Sequence, residues 1–123
     1  MSDPGGEPRE WRFYDEDMIG FCEKVRTYTA GLNRDTFVTG GMAYDATLRN
    51  LELIGEAATH VPESVRNAYP EIPWRAIIGA RNRLAHGYLH IEDDTVWNMI
   101  EDAVPQLVSD LRELLKRAGE NAE

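Results

Sequence analysis

A single cysteine, Cys22, stands among 123 residues. One thiol makes no disulfide framework within the chain and no thiolate metal site, and Cys22, set in an apolar helical stripe, reads as a small buried residue. Long hydrophobic runs are also missing: no stretch approaches the roughly 20 apolar residues of a membrane span. The first nine residues are polar and rich in Gly and Pro, without the apolar stretch of a signal peptide, so residence in the cytoplasm is the default expectation. No segment shows the period-two alternation of a strand, and there are no internal repeats and no internal linker. Basic residues are scarce: 13 Lys and Arg stand against 22 Asp and Glu, a formal net charge of −9. That balance argues against a protein that binds nucleic acid through its whole surface. His60 and His90 are isolated along the chain and read as surface residues. A metal site needs more convergent ligands than these, so neither a metal nor a cofactor is expected.

What the chain does have is helical periodicity, enough for one domain with a modest core. A disordered tail is expected over residues 1–10, a helical domain over 11–117 and a frayed tail over 118–123. The first helix, about Trp11–Gly31, carries Met18, Cys22, Val25, Thr29 and Leu32 at alternating four- and three-residue steps. Gly31 sits where a C-terminal cap belongs, and Asn33 or Asp35 can cap the next helix. Gly40-Gly41 is either a break or an early irregularity in that second helix. From Met42 to about His60 the pattern is continuous, with Tyr44, Leu48, Leu51, Gly55 and Ala58 on one line. Pro62 starts a short third helix that Tyr69-Pro70 ends. Pro73 suits the first position of a fourth helix, expected to run to about His86, with Gly87 able to stop it. The fifth begins near Asp93 or Asp94 and places Trp97, Ile100, Val104, Leu107, Leu111 and Leu114 on one line, read as core or dimer seam. Pro105 lies inside that run and should kink it. The expected fold is all-α, an antiparallel bundle of about five helices.

Charge is unevenly placed along this bundle. Acids crowd the N-terminal part and the last helix. Between them, from Arg66 to His90, Glu71 is the only acid among Arg66, Arg75, Arg81, Arg83, His86 and His90. One local basic site on an acidic body suits an RNA site with few phosphate contacts, and equally suits mating with a partner. Within it, Trp74, Ile78, Arg81 and Ala85 share one helical line, so Arg81 occupies a position expected to be apolar. A charge there is costly unless it is paired or lines a cleft. A second line holds Arg75, Gly79, Asn82 and His86. Gly79 and Ala80 remove bulk beside it, permitting close approach of another backbone or a substrate. His86, expected in the last helical turn, can serve as general acid or base; the plainer reading is a helix-capping histidine. Tyr88 lies past the cap, and its plainer reading is a half-buried aromatic. On the second helix Asp45, Arg49, Glu52 and Glu56 form a polar stripe. This is best read as a solvated face with intrahelical ion pairs; the functional version has Glu52 or Glu56 orienting Arg81.

The segment RNRLAHGY, with Arg81, four residues, His86, one residue and Tyr88, resembles the signature of the HEPN superfamily, and closely its HepT group. The landmarks DATLRNLELIGEA (residues 45–57), YPEIPW (69–74) and Val96-Trp97 stand around it in HepT order. The resemblance implies an all-helical, HEPN-like, dimeric ribonuclease, the toxin half of a two-gene toxin–antitoxin system. It further implies that Arg81 and His86 are catalytic, and that the antitoxin, a minimal nucleotidyltransferase of the MntA type, attaches AMP to Tyr88.

Two functions are therefore carried forward. In the first, the chain is a metal-independent endoribonuclease toxin whose partners are an RNA substrate, the nucleotidyltransferase and a second copy of itself. His86 moves protons, Arg81 stabilises the charge on the phosphorane, and Asn82 contacts the scissile phosphate or holds His86. In the second, the chain is a catalytically inactive module in which the same residues grip a nucleotide or organise docking of the nucleotidyltransferase.

Overall fold

The structure, a computed structural model, describes residues 6–86 and 91–121. Among the described residues every regular element is helical: α1 (Gly6–Thr29), α2 (Arg34–Val38), α3 (Met42–Thr59), α4 (Glu63–Ala68), α5 (Trp74–Ala85), α6 (Asp93–Asn98) and α7 (Val104–Asn121), with a π-helical stretch over Met99–Ala103 joining the last two. The all-α expectation holds, and the helix count rises for two local reasons.

The first reason is the Gly40-Gly41 pair. Gly41 takes φ of +61°, a conformation that a side chain disfavours, and the chain breaks there into α2 and α3. The Asn33 side chain accepts a hydrogen bond from the Thr36 N–H while the Thr36 hydroxyl accepts from the Asn33 N–H, a reciprocal cap that starts α2. Asn33, not Asp35, is the cap. Gly31 takes φ of +78° after the end of α1, as its expected role requires. The second reason is Pro105. It has no N–H to offer the carbonyl one turn back, and its ring crowds that turn. The helix responds with a π turn immediately before it, in which the Val104 N–H reaches the Met99 carbonyl, rather than with a simple kink. The extra residue shifts the helical phase. Val96 rather than Trp97 becomes the buried residue ahead of Ile100, Val104, Leu107, Leu111 and Leu114. Trp97 is half-buried against the Phe37 ring, 5.5 Å between centroids.

Helix α1 opens at Gly6 rather than near Trp11, and α5 ends at Ala85 rather than His86. The buried stripe of α1 is Trp11, Asp15, Met18, Cys22, Val25 and Thr29, a strict alternation of four- and three-residue steps that places a carboxyl in the core. α1 packs on α3 and α7. Tyr14 stacks on His60 just beyond α3 (centroids 4.7 Å apart). Arg12 donates to the Ala118 carbonyl of α7 (3.0 Å), and Arg112 pairs with Glu23. Early α1 thus meets late α3 and late α7, so α1 runs antiparallel to both. α3 packs on its other side against α5. Burial pushes the Cys22 thiol up to about 12, with Glu23 adding to the effect and Arg26 opposing it, so this cysteine is a packed, protonated core residue.

Four ties set where α5 and α6 begin. The Trp74 indole N–H donates to the Tyr69 carbonyl (3.1 Å), and Ile72 is fully buried beside it, fixing the entry to α5. Arg117 pairs with Glu71 and lies 4.9 Å over the Tyr69 ring. At the other end, the Tyr44 hydroxyl donates to Asp93 (2.8 Å), and Arg34 pairs with Asp94. These ties fix the start of α5, which carries Arg81, and the start of α6. No described helix is long and apolar enough to cross a membrane.

Candidate functional site

The site is built on α5, WRAIIGARNRLA, which carries four arginine or asparagine side chains and no acid. Arg81 points back toward α3. Its Nη2 donates to Glu56 Oε1 (2.5 Å) and its Nη1 to Asn82 Oδ1 (2.9 Å). The Arg81 side chain is 31% exposed and that of Glu56 43%, so the pair sits at the boundary of the core with one edge open to water. Arg81 Nε is buried and has no hydrogen-bond partner. This resolves the conflict visible in the sequence. A cation occupies an apolar line because a carboxylate on the neighbouring helix holds it in place.

Of the polar stripe on α3, Glu56 meets Arg81. Glu52 is turned to Arg49, 3.3 Å away and three residues back on the same helix, as the solvated-face reading expects. Glu56 also lies 3.5 Å from His60 Nε2, and His60 in turn stacks on Tyr14. His60 is a surface residue, 49% exposed, yet it stands beside the carboxylate that orients Arg81.

Asn82 is exposed and bridges the two halves of the site: its side chain accepts from Arg81, and its carbonyl accepts the His86 N–H (3.1 Å). His86 is exposed and forms the C-terminal cap of α5, with φ −109° and ψ 91°. It therefore lies one residue past the last helical turn where the periodicity places it, and its backbone is extended rather than helical. Gly87, Tyr88 and His90 fall outside the described residues.

The close approach expected at Gly79 occurs elsewhere. A Cβ on Gly79 would meet nothing within 4 Å, whereas one on Gly55 of α3 would lie 2.2 Å from the Arg81 Cβ and 2.9 Å from the Ile77 carbonyl. Gly55 is what lets α3 and α5 approach closely enough for Glu56 to reach Arg81. We expect Gly55→Ala to force the helices apart, because a backbone carbonyl and a Cβ cannot yield as a flexible side-chain end can. The expected cost is about 1–3 kcal/mol of stability, read by chemical denaturation. An unchanged midpoint would show that the contact is soft.

On the other flank of α5, Pro73, Ala76, Ile77 and Ala80 line an apolar groove of about 200 Å³ with Leu51 and Ile54 of α3 and Met99, Val104 and Leu107 of the last helix. Among the described residues no group of three or more His, Cys, Asp or Glu side chains is placed to hold a metal ion. What the site offers chemically is a positioned guanidinium, an amide beside it and an imidazole at the helix end.

An all-helical bundle with an Arg–Asn pair and a histidine at one helix end defines a class of small helical proteins with a polar site at the edge of the core. Comparison with known sequences makes the assignment specific. Residues 18–114 match the family model described as Ribonuclease HepT-like. The chain is 30% identical over 106 residues to a protein of Caldanaerobacter subterraneus subsp. tengcongensis named "Putative RNase", covering 86% of this chain and 95% of that one. It is 29% identical over 108 residues to the "Probable ribonuclease HepT" of Thermococcus cleftensis, covering 88% and 98%. It is 28% identical over 108 residues to a "Putative RNase" of Methanocaldococcus jannaschii, covering 88% and 89%. No solved structure matches. The chain belongs to the HepT-like family of ribonucleases, within the HEPN superfamily.

Proposed function

We propose that this chain is a metal-independent endoribonuclease, the toxin of a two-gene toxin–antitoxin pair, acting in the cytoplasm. The observation that carries this reading is the Arg81 guanidinium. It is held by Glu56 and joined through Asn82 to the residue that caps α5, His86. The 2′-hydroxyl of RNA attacks the adjacent phosphorus and the P–O5′ bond breaks, so that the 5′-oxygen of the next nucleotide leaves and takes up a proton. His86 transfers a proton, and Arg81 stabilises the charge that builds on the phosphorane oxygens. Asn82, already in contact with Arg81, is placed to hold the scissile phosphate or His86. Glu56 orients Arg81; the pairing of Glu52 with Arg49 leaves Glu52 a more distant supporting role. Transesterification needs both a base and an acid, and the motif supplies one histidine per chain. A homodimer that faces two α5 ends across a shared cleft supplies both, and the apolar groove beside α5 is a surface that a second chain can cover. The test is incubation of the purified chain with total RNA in EDTA, followed by analysis of the cut ends. 2′,3′-cyclic phosphates are expected, and intact RNA would end the proposal.

One observation favours a second reading, a docking module for a nucleotidyltransferase. Arg81 is already engaged by a carboxylate, which a phosphate must outcompete or share. Cleavage of RNA by the isolated chain separates the two.

In the ribonuclease reading Tyr88, the tyrosine of the HepT-like motif, is the control point. AMP placed there by an MntA-type nucleotidyltransferase adds a phosphodiester charge two residues from His86. That charge would occupy the guanidinium by a charge-assisted bond and repel RNA. After co-expression with such an enzyme, peptide mass spectrometry should place AMP on Tyr88, and Tyr88→Phe should escape neutralisation. If the partner silences Tyr88→Phe as well as the parent chain, binding rather than modification is the switch.

A further inference from the structure

Five arginines of this acidic chain are neutralised where they stand. Arg34, Arg49, Arg81, Arg112 and Arg117 each pair with a carboxylate. Arg75 and Arg83 on α5, like Arg26 on α1, are not paired in this way. Both are exposed, and neither has a carboxylate within ion-pair distance among the described residues. α5 itself carries no acid, and Glu71, the acid before it, is occupied by Arg117.

Arg75, Gly79 and Asn82 follow the four- and three-residue steps of a single helical line, and all three are exposed. His86 follows at the cap, where the backbone turns extended, and Arg83 flanks the line. Midway along, Gly79 presents bare backbone with nothing within 4 Å of where a Cβ would be. A mid-helix glycine lowers helix stability relative to alanine, and no packing contact among the described residues requires this one. The line is thus a shallow saddle with a cation at its far end, a second at its flank and the proposed cleavage residues at its near end.

We propose that this exposed line of α5, Arg75–Gly79–Asn82–His86 with Arg83 beside it, is a track for single-stranded RNA that holds substrate phosphates and leads the strand to the cleavage residues. The proposal rests on the ribonuclease reading and extends it to substrate positioning. At about 1.5 Å per residue the line from Arg75 to His86 is ~16 Å long. That length spans about five nucleotides stacked at ~3.4 Å each. Arg75 and Arg83 act as positioning residues on the sugar–phosphate backbone and confer no base preference. Gly79 lets the strand lie against the helix. Charge complementarity selects the occupant: on a molecule with a net charge of −9, an acid-free strip holding two uncompensated guanidinium groups is where a polyanion can approach.

The test is fluorescence anisotropy with a labelled 2′-O-methyl oligonucleotide that spans the line and cannot be cleaved, titrated over a range of salt. Arg75→Gln and Arg83→Gln should each weaken binding roughly three- to tenfold and flatten the log–log salt slope by about 0.7, the value for one lost phosphate contact on a single strand. Gly79→Glu, which puts a good helix former and a negative charge into open space, should weaken it further. Lys24→Gln, an equal charge change on an exposed position of α1, should leave affinity and slope unchanged. With cleavable RNA, Arg75→Gln should raise KM while kcat holds. Stripe variants that behave like Lys24→Gln would overturn the track, and so would wild-type protein that cleaves RNA but shows no dependence on Arg75, Arg83 or Gly79 in either assay. Because the binding probe is inert to cleavage, the two proposals fail separately. Stripe-dependent binding without any RNA cleavage would keep the track and end the ribonuclease reading.

Discussion

His86→Ala and Arg81→Ala should each abolish RNA cleavage while circular dichroism stays unchanged. Loss of a general acid–base group is worth about a hundred- to ten-thousandfold in rate, and loss of a charge-stabilising donor about a hundred- to a thousandfold. The fold should tolerate both changes. His86 is exposed at the end of α5, and alanine at position 81 is a good helix former that leaves Glu56 at 43% exposure, in reach of water. Arg81→Lys separates charge from geometry. A lysine keeps the cation but cannot hold Glu56 and Asn82 with two fixed edges, so it should recover little activity. If two chains share one cleft, mixing exchanged Arg81→Ala and His86→Ala protomers should change activity in a way that neither homodimer shows. Full cleavage by a folded His86→Ala protein would remove the catalytic assignment.

Asp15 should make this protein less stable as pH rises through neutrality. Its side chain is completely buried on the core face of α1, and neither carboxylate oxygen has a hydrogen-bond partner. Burial, with a smaller contribution from Glu16, raises its pKa from 3.8 to about 7. The folded state therefore holds a proton that the unfolded chain releases near pH 4. Below about pH 4 both states are protonated and the ionisation of Asp15 adds no cost. From there to about pH 7 the cost of keeping it buried grows, and above pH 7 it levels off at about 4 kcal/mol. Asp15→Asn, which cannot ionise, should melt on the order of 10 °C higher than the parent at pH 8. The gap should shrink steadily as the pH is lowered toward 4, and Asp15→Leu should follow the same pattern. Parallel melting curves for parent and Asp15→Asn between pH 5 and pH 8 would show that water reaches the carboxylate. A buried, unpaired acid is costly, and α1 carries it in the middle of the stripe that packs on α3 and α7.

Asp15 also shows where pattern reading stops. The stripe over Met18, Cys22, Val25 and Thr29 is plain in the sequence. Carried three and then four residues further back, the same steps reach Asp15 and Trp11. The periodicity held the signal, but the charge of Asp15 placed it with the surface acids. Gly55 is a similar case. It stands on a helical line, but a glycine in a line does not reveal what lies opposite, and the small residues beside the motif, Gly79 and Ala80, suggest the close approach instead. Gly79 is open, and Gly55 carries the contact.

The sequence by itself determined the helical class, the cap at Gly31, the choice of Asn33 or Asp35 as the next cap, the weak point at Gly40-Gly41 and the segment that bears Arg81 and His86. Each of these is local. It depends on side chains three or four residues apart, on a glycine's freedom at positive φ or on a missing N–H, and none needs a distant partner. Only the tertiary structure decided which carboxylate holds Arg81, because Glu52 and Glu56 lie on the same polar stripe and only the crossing of α3 with α5 at Gly55 brings one of them within reach. It likewise decided that Pro105 is accommodated by a π turn. That turn moves the buried position from Trp97 to Val96, since the register of a long helix is set by what it packs against as much as by its own spacing.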